Sequence, residues 1–201
     1  MTSQQTQELQ DRISALKGQP LRFVFRAMDL VCLEFGEVIL KRVLGRDAAG
    51  RAALVEAEAG RYALHIQCFF RLTRAGEVVL ARGDLFQPSA VLEQDAAFDS
   101  TAFDWSPTGN NHFDEVTAGD LSQPSDLVVA DARVNRLGDL RLRFNGGFAL
   151  EVLTDVSSDH ECWRFFEAGS DDHLVVNGRG VETGEDAQMR SALKPALNEF
   201  S

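Results

Sequence analysis

The chain has 201 residues, 44% of them apolar, and a net charge of −11. This length suits one large domain or two small fused ones, and a chain of this size buries roughly 70% of its unfolded surface. The charge argues against nucleic acid and anionic membranes as partners, because like charges repel; no apolar run approaches the ~20 residues of a bilayer-spanning helix.

Residues 1–17 read as a helix. Leu9, Ile13 and Leu16 repeat at helical spacing among polar residues, and Gly18-Gln19-Pro20 ends the pattern. The stripe is narrow, so the helix is expected to pack on a sheet edge. β character follows: 21–25 alternates, 30–35 continues, and Gly36 punctuates. Residues 38–44 fit either a strand or a short helix, and 45–50 reads as a turn. Residues 61–72 form the clearest strand, with Tyr62, Leu64, Ile66 and Cys68 on one face; Ala75-Gly76 is a hairpin turn and 77–81 returns.

The next stretch is different. Between Arg82 and Arg133 there is no Lys or Arg, while ten acids occur: Asp84, Glu93, Asp95, Asp99, Asp104, Asp114, Glu115, Asp120, Asp126 and Asp131. Nearly the whole net charge belongs here. Pro88, Pro107 and Pro124 interrupt it, and a structureless loop of this length is unusual, so short elements are expected, one at 90–94.

The last third returns to β: 127–134, then 139–144 and 148–153 joined across Asn145-Gly146-Gly147, then 162–166 and 173–177. Residues 186–200 predict a terminal helix with Met189, Leu193 and Leu197 at i, i+4 and i+8, kinked or shortened by Pro195. The stretch from Asp29 to Gly36 echoes that from Asp139 to Gly146, and Cys68 with Arg71 is echoed by Cys162 with Arg164. An internal duplication and the ordinary statistics of β-meanders both account for the echo.

These patterns predict an α+β, mainly antiparallel β fold with N- and C-terminal helices. The chain reads as a single domain, or as two β-rich meander halves, 1–84 and 125–201, joined by an acidic segment at 85–124. Tyr62-Ala63-Leu64-His65-Ile66-Gln67-Cys68 with Arg71, and Glu161-Cys162-Trp163-Arg164-Phe165-Phe166 followed by His173-Leu174-Val175-Val176, resemble a group of small bacterial proteins without assigned activity. The resemblance covers about two thirds of the chain, its motifs look structural, and it implies no catalytic residue. Small, acidic, β-rich proteins of this shape include immunity partners of bacterial toxins, an analogy of type only.

No arrangement for nucleophilic catalysis stands out. Gly-x-Ser-x-Gly is absent, and Cys32, Cys68 and Cys162, odd in number and set in apolar strands, read as buried, inert, reduced thiols of a cytoplasmic protein. No cofactor fingerprint occurs. Residues 104–115 match the spacing of a twelve-residue calcium loop, with Asp104 first, Gly109 sixth and Glu115 twelfth, which makes Asp104, Asn110 and Glu115 weak metal candidates; hydroxyls at Ser106 and Thr108 replace the usual carboxylates. An ordinary turn explains the glycine equally well. Arg71, Arg164 and His173 are candidate ligand-binding residues. The more informative feature is the pairing of acids with aromatic rings at Asp99, Phe103, Asp104, Trp105, Phe113, Asp114 and Glu115, a pattern suited to contact with a basic protein. The rings could equally pin the segment to the core. The expectation is a non-enzymatic binding protein, of immunity type toward a basic partner. A small-molecule or metal-binding module, and an enzyme with an unfamiliar Asp/His/Arg site, are the alternatives.

Overall fold

Apolar and polar residues alternate through most of the chain, and the computed structural model, which describes residues 1–46 and 51–183, folds this alternation into two antiparallel sheets over one core. In chain order the strands are β1 (Leu21–Ala27), β2 (Leu30–Arg46), β3 (Ala52–Ile66), β4 (Phe69–Arg74), β5 (Glu77–Ala81), β6 (Val129–Val134), β7 (Leu140–Phe144), β8 (Phe148–Leu153), β9 (Glu161–Glu167), β10 (Leu174–Asn177) and β11 (Gly180–Thr183). The first sheet has the order β1-β2-β3-β9-β10-β11 and the second β5-β4-β8-β7-β6.

The helix α1 (Ser3–Ile13) begins with a reciprocal cap: Thr2 Oγ1 accepts the Gln5 N–H while Gln5 Oε1 accepts the Thr2 N–H. Leu9, Ile13 and Leu16 are completely buried. The Gln10 amide donates to the Ala132 carbonyl at 2.9 Å and accepts the Val134 N–H at 3.0 Å, so α1 satisfies the open edge of β6 as expected for an edge-packing helix. It also touches β11, and so lies against both sheets.

Three features depart from the sequence reading. Residues 30–35 and 38–44 join into one long strand, β2, through an irregularity between Phe35 and Val38. Its partner β3 starts at Ala52 rather than at 61, because 52–60 pairs with the far half of β2. The strand expected at 61–72 is two strands: β3 lies in the first sheet, β4 in the second, and Gln67-Cys68 crosses between them. Ile66, Phe70 and Leu72 all face the shared core, so the inward alternation persists across the crossing and hides it. The short element expected at 90–94 is a helix, α2 (Ala90–Glu93), whereas α3 (His112–Ala118) and β11 had no sequence signal strong enough to announce them. The expected terminal helix at 186–200 lies outside the described residues, as does the tip of the turn at 47–50.

The internal echo has a structural counterpart. Setting β1, β2 and β3 against β6, β7 and β8, and β9 and β10 against β4 and β5, the first sheet reads in the same order as the second. The first half supplies three strands to the first sheet and two to the second; the second half supplies three to each, β11 being an addition without a counterpart, so the halves interleave in one core. Register sharpens the match. Leu21 pairs with Phe35 and Val129 with Phe144, and each pairing is followed by an irregularity at the same place. Arg71 and Arg164 hold equivalent positions, each one residue beyond a buried ring, Phe70 or Trp163. The equivalent residues Pro20 and Val128 form an antiparallel bridge with each other, flanked by Leu21 N–H to Leu127 O at 2.9 Å and Val129 N–H to Gln19 O at 3.0 Å. That bridge marks the axis of a pseudo-twofold.

Candidate functional site

The acidic segment is ordered, and its rings divide between core and surface. Phe113 on α3 is fully buried with its edge toward Phe70, so this ring belongs to the core and offers a partner nothing. Phe86 and Trp105 meet edge to face at 5.0 Å, and Phe98 meets Phe103 at 6.0 Å; both pairs retain exposed surface. Arg26 on β1 fastens the segment. Its guanidinium forks onto Asp114 at 2.8 and 2.7 Å and donates to the carbonyls of Trp105, Ser106 and Pro107.

Many of the acids work locally while remaining charged. Asp99 lies below the usual carboxylate range because the Thr101 hydroxyl and N–H donate to it, and Asp104 does the same through Ser106. Glu115 is lowered by the Ala90 N–H and then by the His112 side chain. Among the described residues, basic side chains meet three of the ten acids: Arg26 on Asp114, Lys17 and Arg133 on Asp131, and the His112 imidazole on Glu115. The face therefore remains anionic. Between α2 and α3 it holds an open groove of about 580 Å³, with Val91, Leu92 and Ala118 as apolar wall and Asp95 and Glu115 as carboxylates.

The calcium-loop spacing does not produce a calcium loop. Asn111 caps α3 by accepting the Asp114 N–H, the helix starts inside the would-be loop, and Asp104 turns toward Ser106 while Glu115 turns toward Ala90. Asn110 donates to the Asp104 backbone carbonyl rather than joining a ligand set with its carboxylate.

The ligand-binding candidates separate. Arg71 lies on the second sheet, paired across to Glu151 at 2.6 Å and half exposed. Arg164 and His173 come together on the outer face of the first sheet with His65, which no ligand assignment from sequence included. His173 stacks on Phe166 at 4.3 Å, and His65 meets the same Phe166 ring edge to face at 4.9 Å. Arg164 is held by a forked bond to Glu161, 2.6 Å at Nε. Burial, then the nearby Arg164, pulls His65 down to about 4, and the same two causes lower His173. The signal that could have found this group is alternation: His65 and Arg164 are direct cross-strand neighbours, but their pairing spans the two halves and is invisible along the sequence.

This face is unlike its counterpart across the pseudo-twofold. There the place of His65 is taken by Glu151, and the surface is a solvated set of arginines and acids including Arg71, Arg141 and Glu151. Here Cys32, Glu34, Ala63 and Val175 are buried even though they face away from the main core. The hairpin of β2 and β3 turns back over them, bringing Lys41 to Glu34. Burial, followed by Glu34, pushes the Cys32 thiol up to about 12, which leaves it unreactive. Within this group Glu34 pairs with Lys41 and Glu161 with Arg164, while His65 and His173 lie against the Phe166 ring, so the arrangement offers hydrogen bonding and ring stacking.

No family model, no curated protein and no solved structure matches the chain. Among the described residues, no helix is long and apolar enough to cross a membrane.

Proposed function

We propose that the protein is a non-enzymatic binding protein that presents its acidic segment to a basic partner, in the manner of an immunity protein. The observation that carries this reading is the groove between α2 and α3. Apolar Val91 and Leu92 lie beside Asp95 and Glu115, which suits a lysine or arginine side chain: the aliphatic stem packs on the wall and the cationic head meets carboxylate. Arg26 holds the surface in shape in advance, so less ordering entropy is lost on contact. Charge of one sign over so long a segment favours fast, salt-sensitive encounter.

The test is retention of proteins from the native cell on the immobilised chain at low salt. The expected result is a basic protein that is released as salt rises and is no longer held by an Asp95→Lys variant, while Asp11→Lys on α1 holds it as before. Failure to retain any basic protein, or retention unaffected by the reversal in the groove, rejects the reading.

A second reading, small-molecule binding at the outer face of the first sheet, is favoured by the divergence of that face from its pseudo-symmetric counterpart. Polar aromatic or carboxylate-bearing compounds that raise the melting temperature of the wild type but not of His65→Ala would support it.

A further inference from the structure

The two places where the chain passes between the sheets lie side by side. Gln67-Cys68 carries β3 into β4, and 154–160 carries β8 into β9. They are tied by the N–H groups of Gln67 and Cys68, at 2.8 and 3.1 Å from the Cys162 carbonyl, and by the Phe69 N–H, which donates to Asp155 Oδ2 at 3.0 Å. Three side chains converge at this junction: the Sγ atoms of Cys68 and Cys162 and a carboxylate oxygen of Asp155 lie within 4.8 Å of one another.

We propose that Cys68, Cys162 and Asp155 form a binding site for a soft divalent cation of the zinc type, with solvent as the fourth ligand. The donor set is the first argument: two sulfurs and one carboxylate, a combination that suits zinc and disfavours magnesium or calcium. Geometry is the second. Ligands around tetrahedral zinc lie roughly 3.5 Å apart, given bonds of ~2.3 Å to sulfur and ~2.0 Å to oxygen, so these atoms need only draw in slightly.

Orientation is the third argument. The Phe69 N–H fixes one oxygen of Asp155 and leaves the other for the ion, the kind of outer-shell bond that orients a ligating carboxylate. Both thiols are buried whereas Asp155 is exposed, which opens the site to solvent on one side only. Binding displaces the thiol protons of Cys68 and Cys162 to solvent, because the thiolate is the form that ligates. The ion would clamp the two crossings, and with them the interleaved halves. In the sequence the cysteines read as inert because they are set in apolar strands, and their spacing, unlike that of a zinc ribbon, gives no sign that the crossings meet.

The test uses the full chain, reduced and stripped with a chelator, and titrated with cobalt(II) and then zinc(II). The expected result is a thiolate-to-cobalt charge-transfer band that saturates at one equivalent and is abolished by zinc. Cys68→Ser and Cys162→Ser lower zinc affinity by roughly a hundredfold or more, beyond the usual cost of losing an outer-shell group; Cys32→Ser, outside the cluster, leaves it unchanged. If the serine variants fail to fold, the wild-type cobalt spectrum decides alone. No charge-transfer band, binding that persists without both thiols, or a Cys68–Cys162 disulfide as the product in air with excess zinc overturns the proposal.

Discussion

Lys41 and Glu34 lie seven residues apart on the same strand, yet Lys41 Nζ is 3.1 Å from Glu34 Oε1. Straight β backbone would separate their Cα atoms by roughly 23 Å, so β2 must bend sharply between them. Gly36, at φ +88°, supplies the bend on one strand, and the second oxygen of Glu34 accepts the Gly60 N–H at 2.9 Å from the other. One buried carboxylate thus ties both strands of the hairpin back onto the sheet. Replacing Glu34 with Ala leaves the Gly60 N–H without its acceptor and Lys41 without its counter-charge, at a cost of about 3 kcal/mol. Lys41→Met costs less, because Lys41 is partly exposed. Urea unfolding should rank the two variants in that order; equal midpoints would show that the bend does not depend on Glu34.

How far such features are legible in the sequence depends on the distance over which the physics acts. Local periodicity is sufficient for α1 and for the hairpin across Asn145-Gly146-Gly147, where hydrogen bonds run between near neighbours. It is insufficient for Gln67-Cys68, where an unbroken inward alternation spans two sheets. The equivalence of Arg71 and Arg164 is visible in the residues themselves, but their divergent surroundings are not: Glu151 and Glu161 reach them from different directions. The acidic segment announces its charge plainly, while its anchor Arg26 sits far upstream on a strand that carries no mark of the partnership.

Arg26 is nearly buried, and its bonds to Asp114 and to three successive carbonyls act as a staple across the loop before α3. Arg26→Ala strands Asp114 and frees those carbonyls, which predicts a loss of about 3–5 kcal/mol. Arg26→Lys should fall between, since an ammonium cannot reproduce the fork. Limited proteolysis is the sharper readout: cleavage should concentrate at 99–110 in the alanine variant. Cleavage distributed as in the wild type would mean that the rings alone hold the segment.

His65 makes stability depend on pH. Its folded value is near 4 against an ordinary 6.5, chiefly through burial, with Arg164, Lys41 and His173 adding and Glu161 opposing. The unfolded chain takes up a proton at this position below 6.5, whereas the folded chain resists until about 4. The unfolded state thus binds more protons in this window, so stability is full above 6.5 and falls as pH drops toward 4. Allowing for partial exposure, the effect is on the order of 2 kcal/mol. His65→Gln should flatten the corresponding part of a pH–stability profile; an unchanged slope would mean that the imidazole is already well solvated.

The bend itself can be tested at Gly60, which faces β2 where the hairpin leaves the sheet. A Cβ added there would lie 2.6 Å from the Phe35 nitrogen and 2.8 Å from its carbonyl oxygen. Both are backbone atoms of a strand paired on both sides, so they cannot rotate away as a side-chain tip would. Relief must come from moving β2 and β3 apart, which weakens the Glu34 bond to Gly60 and lifts the cover from Cys32 and His65. Gly60→Ala is therefore expected to cost about 3 kcal/mol, the upper part of the range for overpacking. The Cys32 thiol should also become more accessible to alkylating reagents. Gly83→Ala is the control, since its added Cβ meets nothing within 4 Å and its effect should stay within about 0.5 kcal/mol. If Gly60→Ala is as mild as Gly83→Ala and Cys32 stays protected, the hairpin is held by contacts other than this close approach.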